Sequence, residues 1–388
     1  VKMRFFIVKH KFEYILKTIS YVTEKKLNEK NAEHIVYFEV LNSKLIIISF
    51  NKFLEISYTH SLNFQNRNGF FFISLRKIND IVKVISQNEL MEFIKINEEL
   101  FININNLKFK ICLSSGLNSR PIFLEQENCT FFCLTSVQLQ IIYKKIFFSL
   151  PESDFRIYLN GIFFDIQNSI LHTISSDGHR LSIYKINLLY DNIFCQFIIP
   201  GENFFNITSI FYKYNDIKIF IFDKYAKFVS ENIVVKTNLL AGKYPNYIFK
   251  FLNFVEKYLI CSKVDLFNLF LRVSVLEKRK NCIVKMNLNE INIHLSTYVN
   301  IKESVEDKLK YIYYDGEEIT IAFNSKYILD ILNTMTSKFV LITIFNFKMA
   351  VFFEPFDYDK NIENINVLEI QNIKKLSNNI YIIMPIRL

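Results

Sequence analysis

A helical pattern of apolar residues recurs six times along this 388-residue chain. In the first copy, Phe12, Ile15, Leu16 and Ile19 lie at the i, i+3, i+4, i+7 spacing of one helix face. The later copies begin at Ile78, Leu139, Phe204, Leu266 and Ile328, at intervals of 61 to 66 residues. The fourth copy is the least regular, since Thr208 occupies one of its apolar positions. Such even spacing favours six copies of one structural unit over a chance run of ordinary domains.

Each predicted helix follows a short apolar strand. The strands are expected at residues 5–8, 70–73, 130–134, 197–199, 258–261 and 319–323. The helices are expected within residues 9–22, 75–87, 136–149, 201–214, 263–276 and 325–338. Ser74, Thr135, Ser262 and Asn324 stand where they could cap helix N-termini, and Pro200 suits a first helical turn. With β-rich stretches between the helices, the pattern predicts an α+β unit in which a sheet packs on one helix.

The intervals between copies alternate slightly and favour pairing copies one with two, three with four, and five with six. This pairing predicts three similar domains, each an internal duplication of the sheet-plus-helix unit. We expect them at residues 1–126, 127–255 and 256–388.

Positive charge is concentrated on the predicted helices. They carry 13 of the 47 basic residues but only 5 of the 38 acidic ones, whereas the rest of the chain holds 34 basic and 33 acidic residues. Helices with apolar inner faces and basic outer faces are typical of a phosphate-facing surface, whose contacts are sequence-independent and salt-sensitive. Lysine is also simply a good solvated helix former, so charge alone does not choose between these interpretations.

The sequence favours a protein of the reducing cytoplasm. No secretory signal follows the first residues, and the longest uncharged stretch, residues 128–143, is too short and polar to span a bilayer. The six cysteines form no CxxC pair and lack the spacing of a zinc site, which favours free thiols. We therefore expect cytoplasmic localisation, no membrane association, no metal and no cofactor.

One segment could suggest an enzyme, since residues 176–181 read Ser-Asp-Gly-His-Arg-Leu and place Asp177 two residues from His179. Catalysis would need further partners, yet the other histidines stand alone and no P-loop, GxGxxG or GxSxG motif occurs. The alternative is structural: Asp177-Gly178 forms a turn, and His179 and Arg180 begin the next strand. We favour this interpretation and expect no catalytic residues.

Residues 176–181 also resemble the signature of the bacterial DNA polymerase III β subunit family, the sliding clamps. Three further segments agree in order and spacing: residues 158–161, 242–247 and the C-terminal stretch 381–388. Phe323-Asn324 with residues 327–333 resembles the family's last helix. The resemblance implies three clamp domains per protomer and a head-to-tail homodimer. It further implies a ring with helices inside, sheets outside and sequence-independent double-stranded DNA in the hole. The function implied is that of a processivity factor that tethers the replicative polymerase.

The resemblance also implies three sets of site residues. The DNA-facing set is Lys25, Lys26, Arg76, Lys77, Lys83, Lys144, Lys145 and Lys326, of which Arg76-Lys77 matches a basic pair in the family. The dimer interface would join Leu107, Phe109, Ile111 and Leu113 to Val275 and Leu276. A pocket between domains two and three would use Leu159, Ser176, Gly178, His179, Arg180, Leu181, Pro245, Ile382, Ile383, Met384, Pro385 and Ile386. This pocket would bind short peptides with apolar anchors from the DNA polymerase III alpha subunit, the clamp loader and other clamp-binding-motif proteins.

The chain departs from the family pattern at four places. A Pro-Arg-Lys segment of the family is Pro200-Gly201-Glu202 here, and a basic and aliphatic pair is Phe249 and Lys250. Ala350 replaces a serine near the pocket, and residues 356–379 form a longer segment than usual. These changes predict a more apolar pocket with altered peptide preference, and a poorest fit to the clamp pattern in the fourth copy. A non-encircling β-rich scaffold that binds DNA is the alternative function, and a lasting monomer would favour it.

Overall fold

Six copies of a strand–helix–three-strand unit follow one another along the chain. The computed structural model describes residues 2–23, 34–63, 65–113, 129–189, 192–247, 255–276, 282–300, 303–358 and 365–387. Its α-helices are α1 (Lys9–Ile19), α2 (Leu75–Lys83), α3 (Ser136–Ile146), α4 (Gly201–Ile210), α5 (Lys263–Val273), α6 (Ser325–Thr334) and α7 (Val367–Leu376). The first six begin where the sequence windows begin, so their prediction is confirmed. Helix α7 was not predicted.

The strands of the first three copies are β1 (Lys2–Val8), β2 (Ile35–Leu41), β3 (Lys44–Phe50), β4 (Leu54–Ser61), β5 (Gly69–Ser74), β6 (Leu90–Ile96), β7 (Glu99–Ile104), β8 (Leu107–Cys112), β9 (Thr130–Leu134), β10 (Gly161–Asn168), β11 (Ile170–Ser176) and β12 (Arg180–Asn187). Those of the last three are β13 (Ile193–Pro200), β14 (Ile217–Ile221), β15 (Tyr225–Ser230), β16 (Ile233–Asn238), β17 (Lys257–Ser262), β18 (Ile283–Leu288), β19 (Asn292–Asn300), β20 (Glu303–Lys310), β21 (Tyr313–Tyr314), β22 (Ile319–Asn324), β23 (Phe339–Ile344), β24 (Val351–Phe356) and β25 (Asn379–Ile383). The observed fold is thus α+β, as predicted.

The first strand of each copy joins the three-strand sheet of a neighbouring copy. Strand β1 pairs with β6, and β5 pairs with β2, so copies one and two exchange strands. The same exchange links copies three and four through β9–β14 and β10–β13, and copies five and six through β17–β23 and β18–β22. The domain boundaries near residues 126 and 255 stay predictions.

Burial follows the predicted apolar spacing. In the first copy, β1 alternates buried and half-buried side chains, and α1 buries Phe12, Ile15, Leu16 and Ile19. The irregular fourth copy folds in the same way. Thr208 is buried in α4 and its hydroxyl donates to the carbonyl of Phe205 at 2.8 Å, so the polar group is satisfied within the helix.

The predicted helix caps are only partly confirmed. The Ser262 side chain accepts from the Asp265 amide at 3.3 Å, Asn324 accepts from the Lys326 amide at 3.1 Å, and Thr135 accepts from the Gln138 amide at 3.1 Å. The Ser74 side chain makes no such bond. Pro200 does not enter a helical turn but ends β13, where it pairs with Gly161, so that expectation was wrong.

The chain divides into two compact units. The first comprises residues 1–140 and 202–239 and contains a four-stranded sheet (order β1-β6-β7-β8) and an eight-stranded sheet (order β5-β2-β3-β4-β16-β15-β14-β9). The second comprises residues 141–201 and 240–388 and contains a nine-stranded sheet (order β13-β10-β11-β12-β25-β24-β23-β17-β21) and a four-stranded sheet (order β20-β19-β18-β22). In the nine-stranded sheet β12 pairs with β25, which places Leu181 opposite Ile382.

Helix α7 covers an apolar part of the nine-stranded sheet. Its buried residue Ile370 packs with Tyr258, Ile260, Leu341 and Phe356. A capping box starts the helix, because the Asn366 side chain accepts from the Glu369 amide and the Glu369 side chain accepts from the Asn366 amide. The segment 356–379, longer than usual by resemblance, therefore contributes a helix to this surface.

In the part of the chain that the structure describes, none of the helices has the length and apolar character needed to span a bilayer. All six cysteines are free thiols.

Candidate functional site

The turn between β11 and β12 is ordered by the Asp177 carboxylate. One oxygen accepts from the amides of His179 and Arg180 at 2.9 and 3.0 Å, and the other accepts from Arg180 Nε at 2.9 Å. Gly178 has φ +89°, and a Cβ there would lie 2.8 Å from an Arg156 guanidinium nitrogen. The prediction that these residues form a turn and start a strand is confirmed, and the carboxylate is occupied in holding that turn.

Arg180 is the most highly connected side chain of this turn. Only 8% of the residue is exposed, and its guanidinium bonds Asp177 and, at 2.6 Å, the Asp330 carboxylate of α6. The guanidinium also lies over the rings of Tyr327 and Phe148, at 4.3 and 5.4 Å from their centroids. A buried cation with two carboxylates and two aromatic rings fixes the turn against α6.

An apolar cluster lies beside this turn. The pocket cluster consists of buried Leu159, Phe163, Ile174, Ile183, Ile198, Tyr244, Tyr247, Ala350 and Ile382, with Tyr158, Leu181, Leu240, Phe352 and Ile380 packed against it. Phe163 stacks on Tyr244 with centroids 4.7 Å apart. Sequence reasoning placed Leu159, Leu181 and Ile382 here and noted Ala350, but it missed the aromatic wall. Tyr244 stands within the matched segment 242–247, which was a usable signal.

The C-terminal tail closes one side of the same region. Ile383 is buried in β25, whereas Met384 is 46% exposed. The Met384 amide donates to the His179 carbonyl at 2.9 Å, and the Ile386 amide donates to the Ala322 carbonyl at 2.8 Å. These bonds hold the tail between the turn and β22.

All twelve predicted pocket residues lie in the second compact unit, but their exposure differs. Leu159, Ser176, Arg180, Ile382 and Ile383 are buried. Gly178, His179, Pro245 and Met384 are exposed, and Leu181, Pro385 and Ile386 are half-buried. Of these twelve, Leu159 and Ile382 belong to the pocket cluster and Leu181 packs against it, whereas Ile383 packs in a separate apolar core. That the exposed members form the rim of one pocket stays a prediction. Phe249 and Lys250, the other predicted departures, lie outside the described residues.

The predicted DNA-facing cations are mostly exposed helix residues. Arg76, Lys77 and Lys83 project from α2, where Asp80 lies 3.9 Å from Arg76 and 3.0 Å from Lys83. Lys144 and Lys326 are exposed on α3 and α6.

Lys145 differs from the other cations of this set. Its ammonium donates to the Thr334 carbonyl at 2.7 Å, and burial, together with the charge of Lys144, lowers its pKa. Lys145 therefore holds the end of α6, while Lys25 and Lys26 lie outside the described residues.

The predicted dimer residues lie on an open sheet edge and on an exposed helix end. Strand β8, with Leu107, Phe109 and Ile111, ends the four-stranded sheet of the first unit, and Leu113 follows it. Val275 and Leu276 follow α5 and are 65% and 48% exposed. Strand β20 lies at an edge of the four-stranded sheet of the second unit. No feature of the sequence indicated that β8 and β20 could pair with each other.

Within the described ranges, no cluster of three or more His, Cys, Asp or Glu residues could hold a metal ion. The region itself presents an apolar cluster, an ordered turn and backbone hydrogen bonds to the C-terminal segment.

Comparison with known proteins identifies the family. Residues 134–246 match the family model of the DNA polymerase III beta subunit central domain, and residues 255–365 match that of its C-terminal domain. The beta sliding clamp of Buchnera aphidicola subsp. Acyrthosiphon pisum is 25% identical over 312 residues, covering 80% of this chain and 85% of the relative. That of Haemophilus influenzae is 23% identical over 327 residues, covering 83% and 88%.

Solved structures share the fold. The DNA polymerase III subunit beta of Pseudomonas aeruginosa aligns with a TM-score of 0.86 at 18% identity, covering 99% of this chain and 100% of that one. The beta chain of Streptococcus pneumoniae aligns with a TM-score of 0.85 at 21% identity, covering all of both chains. Since the two family models together match more than half of its residues, the chain belongs to the DNA polymerase III beta subunit family, the beta sliding clamps.

Proposed function

We propose that two copies of this chain pair head to tail into a ring around duplex DNA and tether the replicative polymerase to it. The observation that carries the proposal is that β8 in one unit and β20 in the other each form an edge of a four-stranded sheet, in the part of the chain that the structure describes. Pairing β8 of one copy with β20 of the next continues the sheet across the interface. Such a heterologous contact forms a closed ring only if the rotation from each copy to the next brings the last copy back to the first, and two copies suffice here.

Charge supports the β8–β20 pairing. Strand β8 carries two lysines, Lys108 and Lys110, and no acidic residue. Strand β20 carries three acidic residues (Glu303, Glu306 and Asp307) and two lysines (Lys308 and Lys310), so its net charge is −1. Opposite charges on facing strands favour the correct partner and alignment over other edge contacts. The exposed Val275 and Leu276 would cover the apolar side chains of β8.

The ring needs only weak contacts with DNA, because topology prevents a closed ring from leaving sideways. Exposed cations such as Arg76, Lys83, Lys144 and Lys326 meet phosphates without reading bases, so affinity falls with salt and sliding stays easy. The protein on this proposal is a non-catalytic processivity subunit.

The pocket cluster and its rim would dock partner peptides from the DNA polymerase III alpha subunit, the clamp loader and other clamp-binding-motif proteins. Two apolar anchors in this cluster supply about 3–6 kcal/mol, whereas micromolar affinity needs roughly 8 kcal/mol. Hydrogen bonds with the peptide backbone would supply the rest.

Retention on circular DNA tests the proposal. Protein loaded by its clamp loader onto nicked circular DNA should stay bound through gel filtration and should leave when one restriction cut linearises the circle. Protein that remains on linear DNA with free ends would contradict encirclement and favour the non-encircling scaffold.

Charging the predicted interface should separate the protomers. In the double variant Val275→Asp/Leu276→Asp, two buried unpaired carboxylates should weaken dimerisation by at least roughly 30-fold. The monomer should keep its stability, since both side chains are exposed. Sedimentation velocity across a concentration series measures the effect. The control Leu376→Asp alters an even more exposed apolar residue on α7 and should leave the dimer intact. Equal dimerisation of the two variants and the parent protein would count against this interface.

A further inference from the structure

Exposed tyrosines and lysines meet where α1 lies beside the segment that follows α4. The Tyr14 hydroxyl on α1 lies 3.3 Å from the hydroxyl of the buried Tyr214, which joins the two elements. All of these residues belong to the first compact unit. We call this surface the tyrosine patch, and its exposed members are Tyr14, Tyr212, Lys11, Lys17 and Lys213.

The rings of the tyrosine patch combine exposure with support from behind. Tyr14 and Tyr212 are 37% and 51% exposed. The Tyr14 ring meets Tyr58 of β4 edge to face, with centroids 6.3 Å apart, and Tyr214 meets Phe211 in the same way at 5.9 Å. A ring that is already held in place loses little conformational freedom when a flat ligand stacks on it.

Positive charge surrounds both exposed rings. Lys11 and Lys17 stand three residues before and after Tyr14, so they flank its ring on the same helix face. The Lys213 ammonium lies 5.1 Å from the centroid of the Tyr212 ring. The Tyr212 hydroxyl raises the pKa of Lys213, and Tyr14 adds to the shift, which indicates that this ammonium is close to both rings.

The acidic groups around the patch do not cancel this charge. Glu13, the acidic neighbour of Tyr14 on α1, is half-buried and accepts from the Lys9 ammonium at 2.8 Å. Burial raises the pKa of Tyr214, its hydrogen bond with Tyr14 adds to the shift, and the charge of Glu231 contributes least. The Tyr214 phenol therefore stays neutral, and the three lysines set the charge of the patch.

Helix α4 makes this combination unusual among the proposed DNA-facing helices. It carries no basic residue in its last turn and has Glu202 in its first. Phosphate contacts are thus poorest at the fourth copy, where exposed aromatic rings stand instead. Base faces inside a duplex are already stacked on one another, whereas unpaired bases stack readily on aromatic side chains.

We propose that the tyrosine patch binds single-stranded DNA, with unpaired bases stacked on Tyr14 and Tyr212 and phosphates beside its three lysines. Such contacts need no particular base, because every base has a π-face. A tethered polymerase copies a single-stranded template, so an unpaired strand adjoins the duplex in the proposed ring. Single-strand binding rests on the proposed function only for the source of that strand.

Fluorescence anisotropy with labelled oligo(dT) of about 12 nucleotides measures this binding. The double variant Tyr14→Leu/Tyr212→Leu should bind the strand at least roughly 5-fold more weakly than the parent protein, which is the lower end of the contribution of one stacked base. The variant Tyr14→Phe/Tyr212→Phe keeps both rings and should retain the parental affinity. Affinity for a duplex of the same length should be unchanged in both variants.

A strand of the same length that lacks bases separates stacking from phosphate contact. The parent protein should bind it more weakly than oligo(dT), and the Tyr14→Leu/Tyr212→Leu variant should bind the two strands equally. The variant Lys11→Gln/Lys213→Gln should reduce the slope of log affinity against log salt by roughly 0.7 for each lysine, whereas the tyrosine variants should keep the parental slope.

Two single variants control for misfolding and for surface aromatic content. Tyr212→Leu removes the more exposed ring, so it should weaken oligo(dT) binding at an unchanged urea midpoint. Phe53→Leu removes a ring of the same unit that is 45% exposed and lies 5.5 Å from the Lys52 ammonium. This matched control should bind oligo(dT) as the parent protein does.

Three results would overturn single-strand binding at the patch. They are failure of the parent protein to bind oligo(dT), equal binding of oligo(dT) and the baseless strand by the parent, and parental affinity in the Tyr14→Leu/Tyr212→Leu variant. A variant that lost oligo(dT) and duplex affinity alike would identify a duplex-phosphate surface instead and would also contradict the proposal. Retention on nicked circular DNA is a separate measurement: its failure in the parent protein would contradict the ring and leave the oligo(dT) result standing.

Discussion

Replacing Arg180 by alanine is expected to lower the free energy of unfolding by about 3 kcal/mol. The substitution removes a buried cation that bonds Asp177 at 2.9 Å and Asp330 at 2.6 Å. Both carboxylates then lose their partner while they remain partly shielded from water. Removing one member of a buried ion pair costs about 3–5 kcal/mol, and the lower end applies because the Asp330 side chain is 29% exposed. Urea denaturation measures the change.

Two further variants make this prediction specific. Arg180→Lys keeps the charge but cannot bond two carboxylates through one planar group, so it should lose an intermediate amount of stability. Arg156→Ala removes a guanidinium that pairs with Asp154 at 2.8 Å near the same turn but at a more exposed position, and it should lose less. Equal losses for Arg180→Ala and Arg156→Ala would show that burial of the Arg180 network does not stabilise the fold.

The same substitution bears on the proposed docking site. The Ser176 hydroxyl donates to the Arg180 carbonyl at 2.8 Å, and the Met384 amide donates to the carbonyl of the neighbouring residue His179. A loosened turn should therefore also loosen the tail that bounds the pocket. Peptide affinity of Arg180→Ala should fall at temperatures where circular dichroism shows the variant still folded.

The helices could be predicted from sequence because their signal is local. The spacing of Phe12, Ile15, Leu16 and Ile19 marks one helix face without knowledge of what covers it. The recurrence of that spacing predicted six helices, and each begins at the expected residue. Resemblance in the segments around Gly178 and Met384 placed these two segments together, and the pairing of β12 with β25 does bring Leu181 opposite Ile382.

Contacts between distant segments could not be predicted in this way. Asp330 is 150 residues from Arg180, and nothing in either local pattern indicates that they pair. Helix α7 was missed because it buries only Ile370 and leaves Leu368 and Leu376 exposed, so it lacks a continuous apolar face. Its capping box, Asn366 with Glu369, was the one local sign of a helix.

Replacing Glu354 by glutamine is expected to stabilise the protein at pH 8 by about 3 kcal/mol. Glu354 lies on β24 and is 1% exposed, and neither carboxylate oxygen has a hydrogen-bond partner among the described residues. Burial raises its pKa from 4.5 to about 7; the charges of Lys374 and Lys185 oppose this shift, and that of Glu256 adds to it. Ionising such a carboxyl group in the folded protein has a large cost.

The direction of the pH effect follows from this raised pKa. Below pH 4.5 the carboxyl group is protonated in both the folded and the unfolded chain, so it makes no difference to stability. Between pH 4.5 and about 7 the unfolded chain releases the proton more readily, and the protein loses stability as the pH rises. Glutamine is neutral throughout, so the advantage of the variant should be small at pH 5 and reach its full value near pH 8.

Urea denaturation of both proteins at pH 5 and pH 8 measures this growing difference. The control Glu290→Gln changes an exposed glutamate in the turn between β18 and β19, and its stability should follow that of the parent protein at both values. If the difference in stability between the Glu354→Gln variant and the parent were the same at pH 5 and pH 8, the carboxylate would have to be solvated or paired in the folded state.

A further variant tests the role of Lys374, which lies on α7 beside this strand and bonds Glu256 at 3.0 Å. A Lys374→Gln variant that left the pH dependence unchanged would show that burial beneath the helix, rather than the ammonium charge, controls the titration of Glu354.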